Sequence, residues 1–134
     1  MKHNYKIQDF KFKHIIKTRY RDLDSFNHIN NATFLSYFED ARILFFNRWN
    51  VNKNDRSLIV ASINIDYIKQ VEHPSDLIVC QKISRIGTKS FDNHSVIFCN
   101  DELVCVSKTI IVCYNFVLNK SVQVYDEIKQ DLNL

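Results

Sequence analysis

The sequence predicts an α+β fold in which an antiparallel sheet curves around one long central helix. Three observations predict it. Within residues 32–46, ten of fifteen side chains are apolar or aromatic, more than the single stripe of a surface helix requires. From residue 57 to 116 the chain is dominated by Ile, Val, Tyr and Phe, broken only by short turn signals. Short links join strands as hairpins, so these strands run antiparallel. With 134 residues and 46% hydrophobic content, the chain reads as a single domain, 1–134, with apolar mass enough for a core.

The elements follow in order. Segment 10–20 alternates: Phe10, Phe12, His14, Ile16, Thr18 and Tyr20 fall on one face, Lys11, Lys13, Lys17 and Arg19 on the other. Period two with aromatic and β-branched residues is a half-buried strand. Residues 21–29 have no period and many polar groups, and read as a loop. Asn30-Asn31 supply capping chemistry for a helix over 30–48. That helix is apolar over most of its circumference, so it is expected to be wrapped. Strands are expected at 57–70, 76–86, 89–99 and 103–116, separated by Glu72-His73-Pro74-Ser75, Gly87-Thr88 and Asn100-Asp101. A short strand at 121–125 leads to a terminal helix starting near Asp126. A sheet of this size has open edges, a liability unless paired.

Composition excludes several function classes. There is one glycine, Gly87, where roughly nine would be average. A phosphate-binding loop, a dinucleotide fingerprint and a nucleophile elbow each need at least two. The net charge of +3 is mild and its lysines are dispersed, unlike the clustered basic face of a nucleic-acid binder. Cys80, Cys99, Cys105 and Cys113 form no C-x-x-C pair and lie in apolar stretches, which fits reduced thiols in a cytoplasmic protein. His3, His14, His28, His73 and His94 lack metal-ligand spacing, so no metal and no cofactor is expected. The longest apolar run, Ile110 to Tyr114, is too short to span a membrane, and the N-terminus lacks the apolar stretch of a signal peptide.

The stretch that can carry chemistry is 18–42. Asp22, Asp24, His28, Asn30 and Asn31 fall within ten residues, directly before a helix N-terminus. Such a terminus offers unpaired N–H groups and a partial positive charge, which stabilise an anion or a developing oxyanion. A carboxylate opposite it can attack a carbonyl or activate water. Each residue also has an ordinary reading. Asp22 fits a solvated loop position, Asp24 a turn, His28 a structural contact and Asn30 a helix cap. Asn27 fits a left-handed backbone position.

The same stretch resembles the signature of hot-dog fold thioesterases of the 4-hydroxybenzoyl-CoA thioesterase type, D-x-D-x-x-G-H-V-N-N-x-x-Y-L-x-Y-x-E-x-A-R. Asp22, Asp24, His28, Asn30, Asn31, Leu35, Tyr37, Glu39, Ala41 and Arg42 match in one register. Asn27 stands where that pattern has Gly, and Phe34 where it has Tyr. Downstream, Ile65-Asp66-Tyr67 resembles the family's second strand end, and Gly87-Thr88-Lys89-Ser90-Phe91 its G-x-x-S-F turn. The resemblance implies the hot-dog fold and hydrolysis of an acyl-CoA or acyl-carrier-protein thioester. It implies Asp24 as nucleophile or general base, the Asn31 amide as oxyanion donor and His28 beside them. It further implies Tyr67, Lys89 and Ser90 as substrate contacts, and a homodimer or homotetramer whose sites are built from two subunits.

Two other readings stay open. Hot-dog hydratases carry D-x-N-P-x-H, whereas Asp22 to His28 is one residue longer and has no Pro. A non-catalytic acyl-CoA-binding protein would share every binding feature and lack only turnover.

Overall fold

The structure is a computed structural model and describes residues 3–132 and Leu134. Strand β1 spans Phe12–Lys17 and alternates between half-buried and exposed side chains. The alternation expected for 10–20 is present from Phe10 to Thr18 and then stops. Residues Tyr20–Asp22 form a 3-10 turn, because the Asp22 carboxylate accepts the Arg19 amide and turns the chain out of the strand. Tyr20 is therefore 81% exposed instead of facing the core.

Helix α1 spans Asn31–Phe46, and a 3-10 turn at Asn47–Trp49 continues it. Asn30 caps it, its side chain accepting the Ala32 amide at 2.8 Å. Phe34, Tyr37, Phe38, Ala41 and Phe45 are buried on one side. Leu35, Ile43 and Leu44 are exposed. The expectation of a helix wrapped over most of its surface is corrected here: within one chain the sheet covers one side and leaves these three apolar side chains, spread over the rest of the circumference, exposed.

Strands β2 (Ser57–Tyr67), β3 (Asp76–Ile86), β4 (Ser90–Cys99) and β5 (Glu102–Asn115) follow, with a two-residue β6 (Lys120–Ser121) and a short helix α2 (Asp126–Gln130). The sheet order is β1-β3-β4-β5-β2, and every pairing is antiparallel. A curled antiparallel sheet with one long helix on its inner face is the hot-dog architecture expected from the sequence.

Two apolar clusters lie between helix and sheet. One joins Phe34, Tyr37 and Phe38 to Leu77, Val79 and Ile97 at the N-terminal end of α1. The other joins Phe45 and Trp49 to Ile83, Phe91, Ile111 and Ile128 at the C-terminal end. Between them the buried row is polar: Gln81 donates through Nε2 to the Ala41 carbonyl at 2.9 Å, and Asn93 donates through Nδ2 to Gln81 Oε1 at 3.2 Å. The middle of the helix is thereby pinned to the sheet. The outer face of the sheet is covered by Tyr5, Ile7 and Phe10, which pack with Cys80, Val96 and Phe98.

All four cysteines are free. Burial pushes the Cys80 thiol up to about 11 and the Cys105 thiol up to about 12, so neither forms a thiolate at neutral pH. The chain's end is fastened by the buried Asp131, which accepts the Trp49 indole N–H at 2.7 Å and an Arg48 N–H at 2.6 Å. Ile128, fully buried beside Trp49, closes the second cluster. Ile128→Ala should therefore lower stability by about 2–5 kcal/mol. Urea unfolding should show a lower midpoint with an unchanged slope.

Candidate active site

The loop between Asp22 and Asn30 is a closed turn. Leu23 and Ile29 form an isolated antiparallel bridge. Inside it the Asp24 amide donates to the His28 carbonyl at 2.8 Å, and the Asn27 amide donates to the Asp24 carbonyl at 3.2 Å. Asn27 has φ of 63°, the left-handed conformation expected for it. That settles why Asn is accepted where the family pattern has Gly: among residues with a side chain, Asn adopts this region most readily.

The Asp24 carboxylate is oriented by the same turn. Its Oδ1 accepts the Phe26 amide at 2.8 Å and the His28 amide at 3.2 Å. Oδ2 has no hydrogen bond among the described residues. The turn role of Asp24 is therefore compatible with a chemical one: one oxygen holds the loop, and the other carries no hydrogen bond among the described residues.

Across from it is the first turn of α1. Asn30 accepts the Ala32 amide through its side chain and the Thr33 amide through its carbonyl at 2.9 Å. The Asn31 amide has no acceptor among the described residues. It is the one first-turn donor here left to a ligand, and it sits at the positive end of the helix dipole. The Tyr67 hydroxyl donates to the Asn31 carbonyl at 2.8 Å, which ties the end of β2 to the helix start.

Asp24, His28, Asn31, Phe34 and Tyr67 line one cavity of about 160 Å³. A larger recess of about 420 Å³ shares His28, Lys69 and Gln70 with it and runs on past Val71, Ser75 and Glu102. Four residues singled out from sequence therefore come together, while Lys89 and Ser90 do not join them in the same chain. The β3–β4 turn lies at the other end of α1, where Phe91 packs against Phe46 and Trp49. A helix of sixteen residues separates the two ends, roughly 24 Å.

Among the described residues, no group of His, Cys, Asp and Glu is arranged to hold a metal ion, and no helix is long and apolar enough to cross a membrane.

A family model, the thioesterase-like superfamily, matches residues 18–132. The chain belongs to that superfamily. Over 87 residues it is 34% identical to the uncharacterized protein YsmA of Bacillus subtilis, a match covering 63% of this chain and 59% of that one. Over 129 residues it is 26% identical to the long-chain acyl-CoA thioesterase FadM of Escherichia coli, covering 87% of this chain and 93% of that protein. The structure is similar to that of a predicted thioesterase from Bacillus stearothermophilus, with a TM-score of 0.82 and 27% identity over 90% of this chain and 92% of that one.

This thioesterase-like chain departs from its sequence reading at Asp22. Instead of being solvated, Asp22 is 3% exposed. Its Oδ2 accepts the Tyr37 hydroxyl at 2.7 Å and the Arg19 amide at 2.9 Å, and its Oδ1 accepts the Arg19 guanidinium at 3.0 Å. Burial alone would raise its pKa, but these bonds from Tyr37 and Arg19 outweigh burial and hold the carboxyl below its ordinary value. Tyr37 is pushed up in turn by burial and by Asp22. The sequence held one clue, since Tyr37 lies on the helix face shared by Phe34, Phe38 and Ala41, where a buried hydroxyl needs a partner. Lys69 and Gln70 were also missed, because 57–70 reads as unbroken strand. The strand ends at Tyr67, where the Ile68 and Lys69 amides both turn to the Val104 carbonyl.

Asp22→Asn should destabilise the fold by about 1–3 kcal/mol at neutral pH, since the charged acceptor of a buried tyrosine is lost. The native carboxyl titrates below the unfolded one, so its contribution is full at neutral pH and fades as pH falls through the native value. Melting temperatures of the two proteins should therefore converge below about pH 4.

Proposed function

We propose that this protein hydrolyses an acyl-CoA thioester to the free acid and CoA thiol, with Asp24 as the reacting carboxylate. The observation that carries this reading is that Asp24, His28 and Asn31 line one cavity, while Asp24 Oδ2 and the Asn31 amide have no hydrogen-bond partner among the described residues. Membership of the thioesterase-like superfamily and likeness to a long-chain acyl-CoA thioesterase support the substrate class. Free thiols and a CoA substrate fit a cytoplasmic location.

The thioester carbonyl oxygen binds at the Asn31 amide. Negative charge that grows on this oxygen in the tetrahedral state meets a fixed N–H and the helix dipole. Asp24 Oδ2 then acts in one of two ways. It attacks the carbonyl carbon, expels the CoA thiolate and leaves a mixed anhydride that water cleaves. Or it takes a proton from water, whose oxygen attacks in its place. In both cases the C–S bond breaks, and the thiolate leaves with its electron pair and is protonated. In the general-base route the acid's new oxygen comes from water; in the anhydride route, when water attacks the aspartyl carbon, it comes from Asp24 and the water oxygen stays in the carboxylate. A thiolate is a good leaving group, so a strong general acid is unnecessary. His28 borders the carbonyl position and steadies the loop through its amide bond to Asp24.

Lys89 and Ser90 enter this reading through a second subunit. Both lie at the far end of α1, so a dimer with antiparallel helices brings the partner's turn toward this chain's Asn31 end. There Lys89 is suited to a CoA phosphate. Lys89→Ala should raise KM with little change in kcat, because it removes binding shared by ground and transition states. Equal loss in kcat and kcat/KM would contradict that role.

Two substitutions test the chemistry. Asp24→Asn keeps the loop's shape and removes the base, so kcat should fall on the order of 10²–10⁴-fold with the fold intact. Asn31→Pro deletes one N–H at the first helical position, where proline is tolerated and where Asn30 already has the extended backbone that proline requires (ψ of 136°). Loss of a single oxyanion donor should lower kcat by roughly 10²–10³-fold. Thiol release from a panel of acyl-CoA and acyl-carrier-protein thioesters reads both. Single turnover in ¹⁸O-water separates the two routes, since label in the Asp24 carboxylate marks the anhydride. Near wild-type turnover of Asp24→Asn on the best substrate would overturn the assignment, and tight acyl-CoA binding with no turnover would favour a binding protein.

A further inference from the structure

Phe116, Val117 and Leu118 form the tip of the hairpin that joins β5 to β6, and they are 46%, 68% and 59% exposed. Among the described residues no other three successive large apolar side chains are exposed. A turn needs no such residues, and polar ones hold water more favourably there. An exposed apolar run therefore points to something that it contacts.

The tip is closed upon itself. Asn115 and Lys120 pair at the end of the β5–β6 ladder. The Asn115 side-chain oxygen accepts the Val117 amide at 2.9 Å and the Leu118 amide at 3.0 Å. The Phe116 amide donates to the Asn54 carbonyl at 2.7 Å, and Asn119 completes the turn with φ of 53°. The Phe116 ring packs on Tyr114, their centroids 4.8 Å apart. Each of the three apolar residues thus has its N–H bonded within the protein. An unbonded N–H is costly to move out of water, and this tip carries none of the three into an apolar medium unpaired. The turn is also ordered before any contact, so little conformational freedom is left to lose on docking.

Charge and shape select the occupant. Lys120 adjoins the tip, and Lys53 is held beside it because its neighbour Asn54 bonds Phe116. Neither lysine forms an ion pair among the described residues. The acids of the adjoining segments are engaged: Glu127 pairs with Arg56, and Asp55 accepts the Asn52 side-chain amide. Two free cations beside three apolar side chains complement an anionic, apolar-backed surface. A hairpin tip is convex and offers far less area than the ~800 Å² per partner of a standard protein interface. A bilayer asks for no matching groove. Apolar side chains enter its headgroup–acyl boundary while lysines stay at the level of the lipid phosphates.

We propose that the β5–β6 hairpin docks this protein on an anionic bilayer surface, with Phe116, Val117 and Leu118 entering the boundary and Lys53 and Lys120 meeting the headgroups. This docking goes beyond the thioesterase reading and stands without it.

Co-sedimentation of the full chain with vesicles of equimolar phosphatidylglycerol and phosphatidylcholine tests it, with far-UV circular dichroism as the check on folding. Wild type should move to the vesicle pellet, less so as salt rises, and less on phosphatidylcholine alone. Val117→Ser with Leu118→Ser, both at exposed positions, should lower the partition coefficient roughly tenfold or more. Lys53→Gln with Lys120→Gln should lower it about fivefold per lysine and flatten its salt dependence. Phe116→Trp should shift its emission to shorter wavelength on adding vesicles, above the constant background of the buried Trp49. Wild type remaining in the supernatant overturns the proposal, and so does a serine pair that binds as wild type does. Loss confined to the glutamine pair marks a purely electrostatic contact and overturns insertion of the tip. A serine pair that changes the sedimentation coefficient without lipid makes the tip a protein contact and overturns the bilayer.

Discussion

The bond between Tyr37 and Asp22 is the constraint on which the site depends. The carboxylate is almost fully buried, and it joins three parts of the chain: the end of the first strand through Arg19, the loop itself, and the second turn of α1 through Tyr37. Its backbone carbonyl accepts the Asn30 amide, so the same residue also holds the helix cap. Ile29 adds a bond to the Val71 carbonyl at 2.8 Å, fixing the loop to the connection between β2 and β3. Asp24 lies two residues beyond Asp22, and Asn31 directly follows the anchored Asn30. The catalytic pair proposed here needs fixed separation more than strength, and Asp22, a neighbouring carboxylate outside that proposed chemistry, supplies it.

The polar row beneath the helix acts at longer range. Gln81 reaches the Ala41 carbonyl, and Asn93 supports Gln81 from the next strand. Apolar packing alone leaves a helix free to slide along its axis by small steps, since it is non-directional. A directional bond at mid-helix removes that freedom, and with it any drift of the N-terminal amide relative to the loop. The two apolar clusters then serve different ends: one backs the Asp24 side, and the other, closed by α2 and the Asp131 clamp, supports the turn bearing Lys89 and Ser90.

Much of this was legible in the sequence. Hydrophobic pattern and turn residues located every main strand within about two residues, apart from β1 and the end of β2, because half-buried strands and short hairpins leave strong periodic signals. The helix cap and the left-handed Asn27 were legible because capping and positive φ have few chemical solutions. What failed was tertiary. Tyr20 continues the alternation of β1 on paper, but a side chain three residues away, Asp22, captures the Arg19 amide and ends the strand. The fate of Asp22 itself depends on Tyr37, fifteen positions on, and no local rule joins the two. The helix reads as apolar nearly all round, and in one chain it is not covered all round. Leu35, Ile43 and Leu44 stay exposed outside the sheet's cover.

The scarcity of glycine is the last piece. Five described non-glycine residues take positive φ, and four of them are asparagine: Asn27, Asn50, Asn100 and Asn119, with Asp101 the fifth. The one glycine is not among them. Gly87 serves close approach instead, since an added Cβ would lie 3.1 Å from the Ser90 carbonyl oxygen. Left-handed Asn is less favourable than Gly in the folded state, but it leaves the unfolded chain fewer conformations to lose. At Asn27 that exchange has a functional side. The turn proposed to carry the chemistry is held by backbone bonds from Asp24 to His28 and from Asn27 to Asp24, and a residue with restricted φ/ψ resists their opening more than glycine would. The free oxygen of Asp24 points where it does only while that turn stays closed, so the substitution that breaks the family's pattern also stiffens the element that aims the carboxylate.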